Sequence, residues 1–435
     1  MTCKKNFAEF MGLLILACAL FALSGEAAAS SPYRVNSVAP PPFFENLHMW
    51  ETAQEVKDAI EAGADVNASS FDRTVLMWAF NLNRNLEVIT ALIEADADVN
   101  ASLFGQTVLM WALQFNRNPE VITALLEAGA DVNARELMRA AKFNRNPEII
   151  TMLLEAGVDV NARGSSGRTV LMVAAEFNRN PEIITMLLEA GADVNAVDEY
   201  GRTVLMVAAA FNRYPEVITA LLEAGADVNA MDRHGLMALL RAARFNRNPE
   251  VITALLEAGA DVNARDSSDL TALMLAAESG SNLEIITKLI EAGSDVNTRC
   301  LNDRTALMFA AGVNRHLEVI TALLKVGADV NARGSDGLTA LMWAIKLNRR
   351  LEVITMLLEA GSDVNTRCLN DRTALIWVAR SNCALRALEI VTALLEAGAD
   401  VGIKDNGGQM AIDHARNNRH LVNSAVFQKL YTLSL

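Results

Sequence analysis

Residues 169–195 read TVLMVAAEFNRNPEIITMLLEAGADVN, and the architecture follows from this stretch. Thr169 stands where a side-chain oxygen can accept a free backbone N–H at the start of a helix. Leu171, Ala174 and Ala175 follow at the i, i+3, i+4 spacing of one helical face, and the two alanines let a neighbouring helix come close. Asn178 sits where that helix must stop, a place at which Asn substitutes for Gly in the left-handed cap conformation. Asn180-Pro181-Glu182 restarts a helix with a capping amide, a proline at the first position and an acid at the positive end of the helix dipole. Ile183, Ile184, Leu187 and Leu188 form its apolar stripe, and Gly191 ends it. Ala192 to Arg202 is a turn-rich finger leading to the next Thr.

The same sentence is repeated along the chain. Asp-Val-Asn recurs with Asp at 65, 98, 131, 159, 193, 227, 261, 295, 329 and 363, and a degenerate copy begins at Asp400. The spacings are 33, 33 and 28, then 34 six times, then 37. Such a period implies a solenoid of small units, each burying its apolar face only against its neighbours. Twelve units fit: an atypical first (43–67), ten internal ones and an atypical last (403–435). With Thr-x-Leu opening and Gly-Ala-Asp-x-Asn closing each helix–loop–helix–finger unit, residues 43–435 resemble the ankyrin repeats. The resemblance implies an all-α solenoid of helix–loop–helix units joined by β-turn fingers, with a concave surface lined by the first helix of each unit. Two departures stand out. The family's Thr-Pro-Leu-His is Thr-Val-Leu-Met here, so the His that ties adjacent fingers is missing. The interhelix loop is also one residue longer.

Composition narrows the function. The 435 residues hold 38 Lys and Arg against 52 Asp and Glu, a net charge of −14. That balance argues against a general nucleic-acid binder, which presents a basic face to phosphate. Five cysteines are too few for a disulfide scaffold. Cys300 and Cys368 fall at equivalent finger positions two units apart, and Cys383 falls in an interhelix loop, so no intramolecular disulfide is expected. At the N-terminus Lys4 and Lys5 precede an apolar run from Met11 to Leu23, and Ala27, Ala28 and Ala29 follow. A basic head, a short apolar segment and small residues are the parts of a secretory signal peptide. The expectation is a signal peptide over 1–29, a linker over 30–42 and export to the periplasm or beyond the cell. Lipidation at Cys18 is the alternative.

No pattern for chemistry emerges. The five histidines form no metal-ligand pair, and there is no C-x-x-C, nucleophile elbow or phosphate-binding glycine loop. Carboxylates such as Glu189 and Asp193 recur in nearly every unit, as a solvated helix end does. What varies is one face of the first helix. At 100° per residue, Val173 lies about 200° from Leu171, and its column through the units is Trp78, Trp111, Arg139, Val173, Val207, Arg241, Leu275, Phe309, Trp343 and Trp377. Four residues on, near 240°, come Leu82, Phe115, Phe143, Phe177, Phe211, Phe245, Ser279, Val313, Leu347 and Ser381. Aromatic and Arg anchors carry much of the energy at interfaces. The Trp column is therefore expected to be at least partly exposed and to bind a partner, against the plain reading that the rings pack under the fingers. For the Phe column both readings stand level. Two units also lose the capping Thr, 134–161 with a shortened finger and 230–263 with Met237. Both carry basic pairs instead, Arg139 with Lys142 and Arg241 with Arg244, about 30 Å apart if units stack at helix-packing distances. They would suit a partner with acidic patches.

The sequence thus reads as a non-catalytic protein–protein interaction scaffold, exported and monomeric, with Trp78, Trp111, Arg139, Lys142, Arg241, Arg244, Phe309, Trp343 and Trp377 as candidate contacts. No cofactor or metal, no nucleic-acid partner and no membrane span in the mature chain are expected. The alternatives are a secreted effector that binds a host protein and, from another class, an enzyme with an unrecognised site.

Overall fold

The computed structural model describes residues 47, 50–70, 73–82, 85–115, 118–280, 283–313, 317–348, 350–381, 386–418, 421–422 and 424–434. The signal peptide, the lipidation alternative at Cys18, the linker, His48, His316, His420 and Cys383 lie outside them.

In the unit quoted above, Thr169 Oγ1 accepts from the Met172 N–H at 3.3 Å and opens the inner helix Val170–Phe177. Asn180 caps the outer helix Pro181–Glu189 by accepting from the Glu182 N–H at 3.1 Å. Gly191, at φ +87°, turns the chain out of that helix. Leu171, Ala174, Ala175, Ile183, Ile184 and Leu187 are buried, whereas Leu188 is half-buried at the edge of the stripe. Equivalent helices recur from Ala53–Glu61 to Ala425–Leu433, inner packing on inner and outer on outer through the stack. Among the described residues strands are confined to two short hairpins, Ser69–Ser70 with Arg73–Thr74 and Ser102–Leu103 with Gln106–Thr107.

The inner helices end differently from expectation. Asn178 is not left-handed: at φ −81° and ψ 142° it is extended, and it is buried. Its amide reaches back one unit, donating to the carbonyls of Ala141 at 2.7 Å and Asn144 at 2.9 Å. Its Oδ1 accepts from the Asn180 N–H at 3.0 Å. Asn212, Asn246 and Asn418 make the same backward reach. The last carbonyls of an α-helix lack intrahelical partners, and here the next unit supplies the donor. A left-handed cap does occur where the Asn is absent, at Gly280 with φ +67°.

Two further ladders tie the units. The Asn of each Asp-Val-Asn except Asn133 bridges forward: Asn161 donates to the Gly191 carbonyl at 2.9 Å and accepts from the Asp193 N–H at 2.8 Å. The pattern repeats from Asn195 to Asn365. The fingers are held by backbone bonds at their tips, such as Glu199 N to Ser166 O at 3.0 Å and Leu369 N to Asp336 O at 3.1 Å. These bonds do the work that the missing His leaves undone. The short unit alters the scheme. Asn133 caps the helix Ala134–Phe143 by accepting from the Arg135 N–H at 2.9 Å. Glu136, fully buried, accepts from the Thr107 hydroxyl at 2.9 Å. Met237 gives its helix no side-chain cap. Cys300 and Cys368 are buried free thiols.

Candidate partner-binding face

The Trp column is largely covered, and the Phe column, for which both readings stand level in the sequence, is the more exposed of the two. Trp111, Val207, Arg241 and Leu275 are buried, and Trp78, Phe309, Trp343 and Trp377 are half-buried. The rings lie beneath the fingers. Arg73, one residue before its capping Thr, places its guanidinium 4.9 Å from the Trp78 ring centre and 4.6 Å from that of Trp111. Arg304 covers Trp343 at 4.3 Å, and Arg372 stands 5.8 Å from Trp377. The Trp78 indole N–H donates to the Ser70 carbonyl at 3.1 Å. Trp78, Trp343 and Trp377 keep the partial exposure expected of them, but under arginines, and Trp111 is buried against expectation, for a reason visible in the sequence. Each Trp unit has a bulky residue at one of the two small positions: Phe80, Leu113 and Ile345 where the quoted unit has Ala175, and Val378 where it has Ala174. The larger side chain and an indole under an arginine occur together in these units.

The basic pairs are also half spent inside the protein. Arg241 forms an ion pair with the buried Asp232. Arg139 donates to Gln114 and, at 3.2 Å, to Gln106, and burial lowers its pKa from the ordinary value. Neither is a free contact. Lys142 remains, its Nζ 4.1 Å from the Phe177 ring centre, together with the exposed Arg244, 5.5 Å from that of Phe245.

The Phe column is the exposed one. Phe177, Phe211 and Phe245 are 41%, 50% and 47% exposed, and the last two stack with ring centres 6.0 Å apart. The column continues through Val313 and Leu347, both exposed; Leu82 falls where side chains are not described. Its residues stand in the last turn of each inner helix, beyond the reach of the fingers. At its N-terminal end a cleft of about 320 Å³ is lined by Gln114, Phe115, Lys142, Phe143, Arg145, Phe177 and Asn178.

Charge is divided between the faces. The eleven outer helices from Ala53–Glu61 to Ala387–Glu396 carry 22 acidic side chains and three lysines. Since the chain has 52 acidic and 38 basic residues, everything outside those helices has 30 and 35. The acidic excess of the chain is thus carried by the outer helices.

A model described as ankyrin repeats (3 copies) matches residues 50–136, 137–232, 239–334, 273–368 and 332–405, and one described as ankyrin repeats (many copies) matches 213–256. The chain belongs to the ankyrin repeats. Ankyrin arrays act as protein–protein interaction scaffolds, typically without catalysis. No curated protein matches this array. Among its described residues no helix is long and apolar enough to cross a membrane.

Proposed function

We propose that the array is an exported scaffold that holds a protein partner along the exposed ends of its inner helices. One observation carries this reading. Phe177, Phe211 and Phe245 stand exposed at the ends of successive inner helices whose other apolar side chains are buried, save the half-buried Val173, and Phe211 stacks on Phe245. An exposed patch of aromatic residues bordered by cations is the composition of an interface core. Export rests on the order of Lys4 and Lys5, the apolar run Met11–Leu23 and the alanines at 27–29.

Site-specific photocrosslinking in the producing cell tests the surface. A crosslinking amino acid at Phe211 is expected to trap a discrete protein adduct, whereas the same group at Thr219, exposed on the outer helix Pro215–Glu223, traps none. Equal adducts at both positions, or adducts at Thr219 alone, would remove the strip as the binding surface.

A further inference from the structure

Five consecutive units carry Phe-Asn-Arg: Phe115, Phe143, Phe177, Phe211 and Phe245 are each followed two residues later by an arginine, from Arg117 to Arg247. In three of them the intervening Asn, at 178, 212 and 246, is the buried rung described above, which fixes the direction in which the loop leaves the helix. The strip of rings therefore runs beside a row of cations with the period of the array. Arg145, Arg179, Arg213 and Arg247 are exposed, and none makes an ion pair among the described residues. Lys142 and Arg244 add two more charges on the ring side.

Carboxylates of the inner helices here are withdrawn from this surface. Of the helices from Val108–Phe115 to Ala238–Phe245, only two carry an acid. Glu136 is fully buried on Thr107 and Asn133, and Glu176 is ion-paired with Arg168. Glu148, Glu182, Glu216 and Glu250 lie in the first turn of the outer helices, where each faces its own helix dipole. A local excess of positive charge beside bare rings, on a chain of net charge −14, selects for an occupant whose own charge is negative and sparse. A nucleic acid would bring a dense line of phosphates against the acidic outer face. The 6.0 Å between the Phe211 and Phe245 rings is close to the two-residue repeat of an extended chain, about 6.6–6.8 Å.

We infer that the strip from Phe143 to Phe245, with Arg145, Arg179, Arg213 and Arg247, binds an extended acidic polypeptide in which acidic residues alternate with apolar ones. The inference rests on the reading of this strip as the partner-binding surface and specifies its occupant. Apolar side chains lie on the rings at alternate positions, and the intervening carboxylates meet the arginine row. The segment runs along the array, with two of its residues spanning the Phe211–Phe245 ring pair.

Fluorescence anisotropy on the whole chain tests it, with a labelled ten-residue peptide alternating glutamate and leucine. Binding is expected, weakening as salt rises. Peptides alternating lysine with leucine, or glutamate with serine, are expected to bind at least about tenfold more weakly. Arg213→Glu with Arg247→Glu, and separately Phe211→Ala with Phe245→Ala, should each weaken the glutamate–leucine peptide by about tenfold or more. All four residues are exposed, so thermal unfolding of the variants checks that the fold is kept. Equal binding of the lysine peptide, tighter binding of a ten-nucleotide oligothymidylate than of the peptide, or no effect of the arginine changes in a folded variant would overturn the inference. Should the peptide fail while crosslinks at Phe211 persist, the surface stands and the acidic occupant is wrong. Should both fail, the surface itself is wrong.

Discussion

Replacing Asn212 with alanine isolates the backward-reaching rung. Its Nδ2 donates to the carbonyls of Ala175 at 2.8 Å and Asn178 at 2.9 Å, and its Oδ1 accepts from the Tyr214 N–H at 3.0 Å. All three partners are backbone groups at the junction of two units, and the side chain is buried. A neutral hydrogen bond contributes about 0.5–1.5 kcal/mol net, and a buried polar group left unpaired costs about 1–3 kcal/mol. Three groups lose their partner together. At about 1 kcal/mol each, Asn212→Ala should destabilise the array by about 3 kcal/mol, falling towards 2 if a water enters the vacated space. Asn212→Asp should cost more, because it turns an acceptor towards two carbonyl oxygens. Urea unfolding followed by circular dichroism gives the free energy. Hydrogen exchange locates it, since a long array need not unfold in one step. Protection should fall first at the Tyr214 amide. A loss below about 0.5 kcal/mol, the level of an ordinary surface change, would refute the assignment of the rung as a structural tie.

Trp111→Ala should destabilise by about 3–5 kcal/mol, in the range of Leu171→Ala at about 2–5 kcal/mol; thermal unfolding within 1–2 °C of wild type would return Trp111 to the surface. Gly337→Ala should be poorly tolerated, because a Cβ there would lie 2.9 Å from the backbone of Cys368 and Leu369 and the residue holds φ +74°. Gly191→Ala keeps only the strain of its φ of +87°, with nothing within 4 Å of the added carbon, and should cost about 1 kcal/mol; denaturant midpoints compare the two. Burial raises the pKa of Asp198, but the Arg202 side chain, the Arg202 and Tyr200 N–H groups and the Arg202 charge outweigh it, so the folded value lies below the ordinary one. Its stabilisation is therefore present above the unfolded pKa, about 3.9, and is lost as pH falls through the folded value. Asp198→Asn should be less stable than wild type at pH 7, with the gap closing below about pH 4; a gap that widens in acid would contradict the linkage.

Helix starts, the outer-helix cap at Asn180, the Gly191 turn and the repetition of the unit are legible because each depends on residues within one unit. What was misread depends on residues of neighbouring units. Asn178 was assigned to a left-handed cap from local preference, but its donors are claimed by carbonyls of the preceding unit. The Trp column was placed outward from a single-helix projection, which does not include the arginine-bearing finger lying over it. Arg139 and Arg241 looked like free cations because Gln114 and Asp232 are distant enough in sequence to be overlooked. The Phe column was correctly located and left open, since an angle near the core edge does not say whether the last turn extends past the fingers. A cue was present in the sequence: Phe80, Leu113, Ile345 and Val378 occupy small-residue positions only in units that carry Trp, which marks those rings as space-filling.

Asn133, spent as a helix cap, leaves one junction of the array without its forward-reaching bridge. At that junction the inner edge stays clasped by Glu136 on Thr107 and by Arg139 on Gln106 and Gln114, while the outer edge has lost its tie. Under load such a junction would bend by opening its untied side while the clasped side stays closed, so the compliance of the array would concentrate there. The cleft lined by Phe115 and Lys142 spans that joint. A ligand seated there would therefore set the angle between the two arms, and the array could close on a partner like a jaw without any helix changing its own packing.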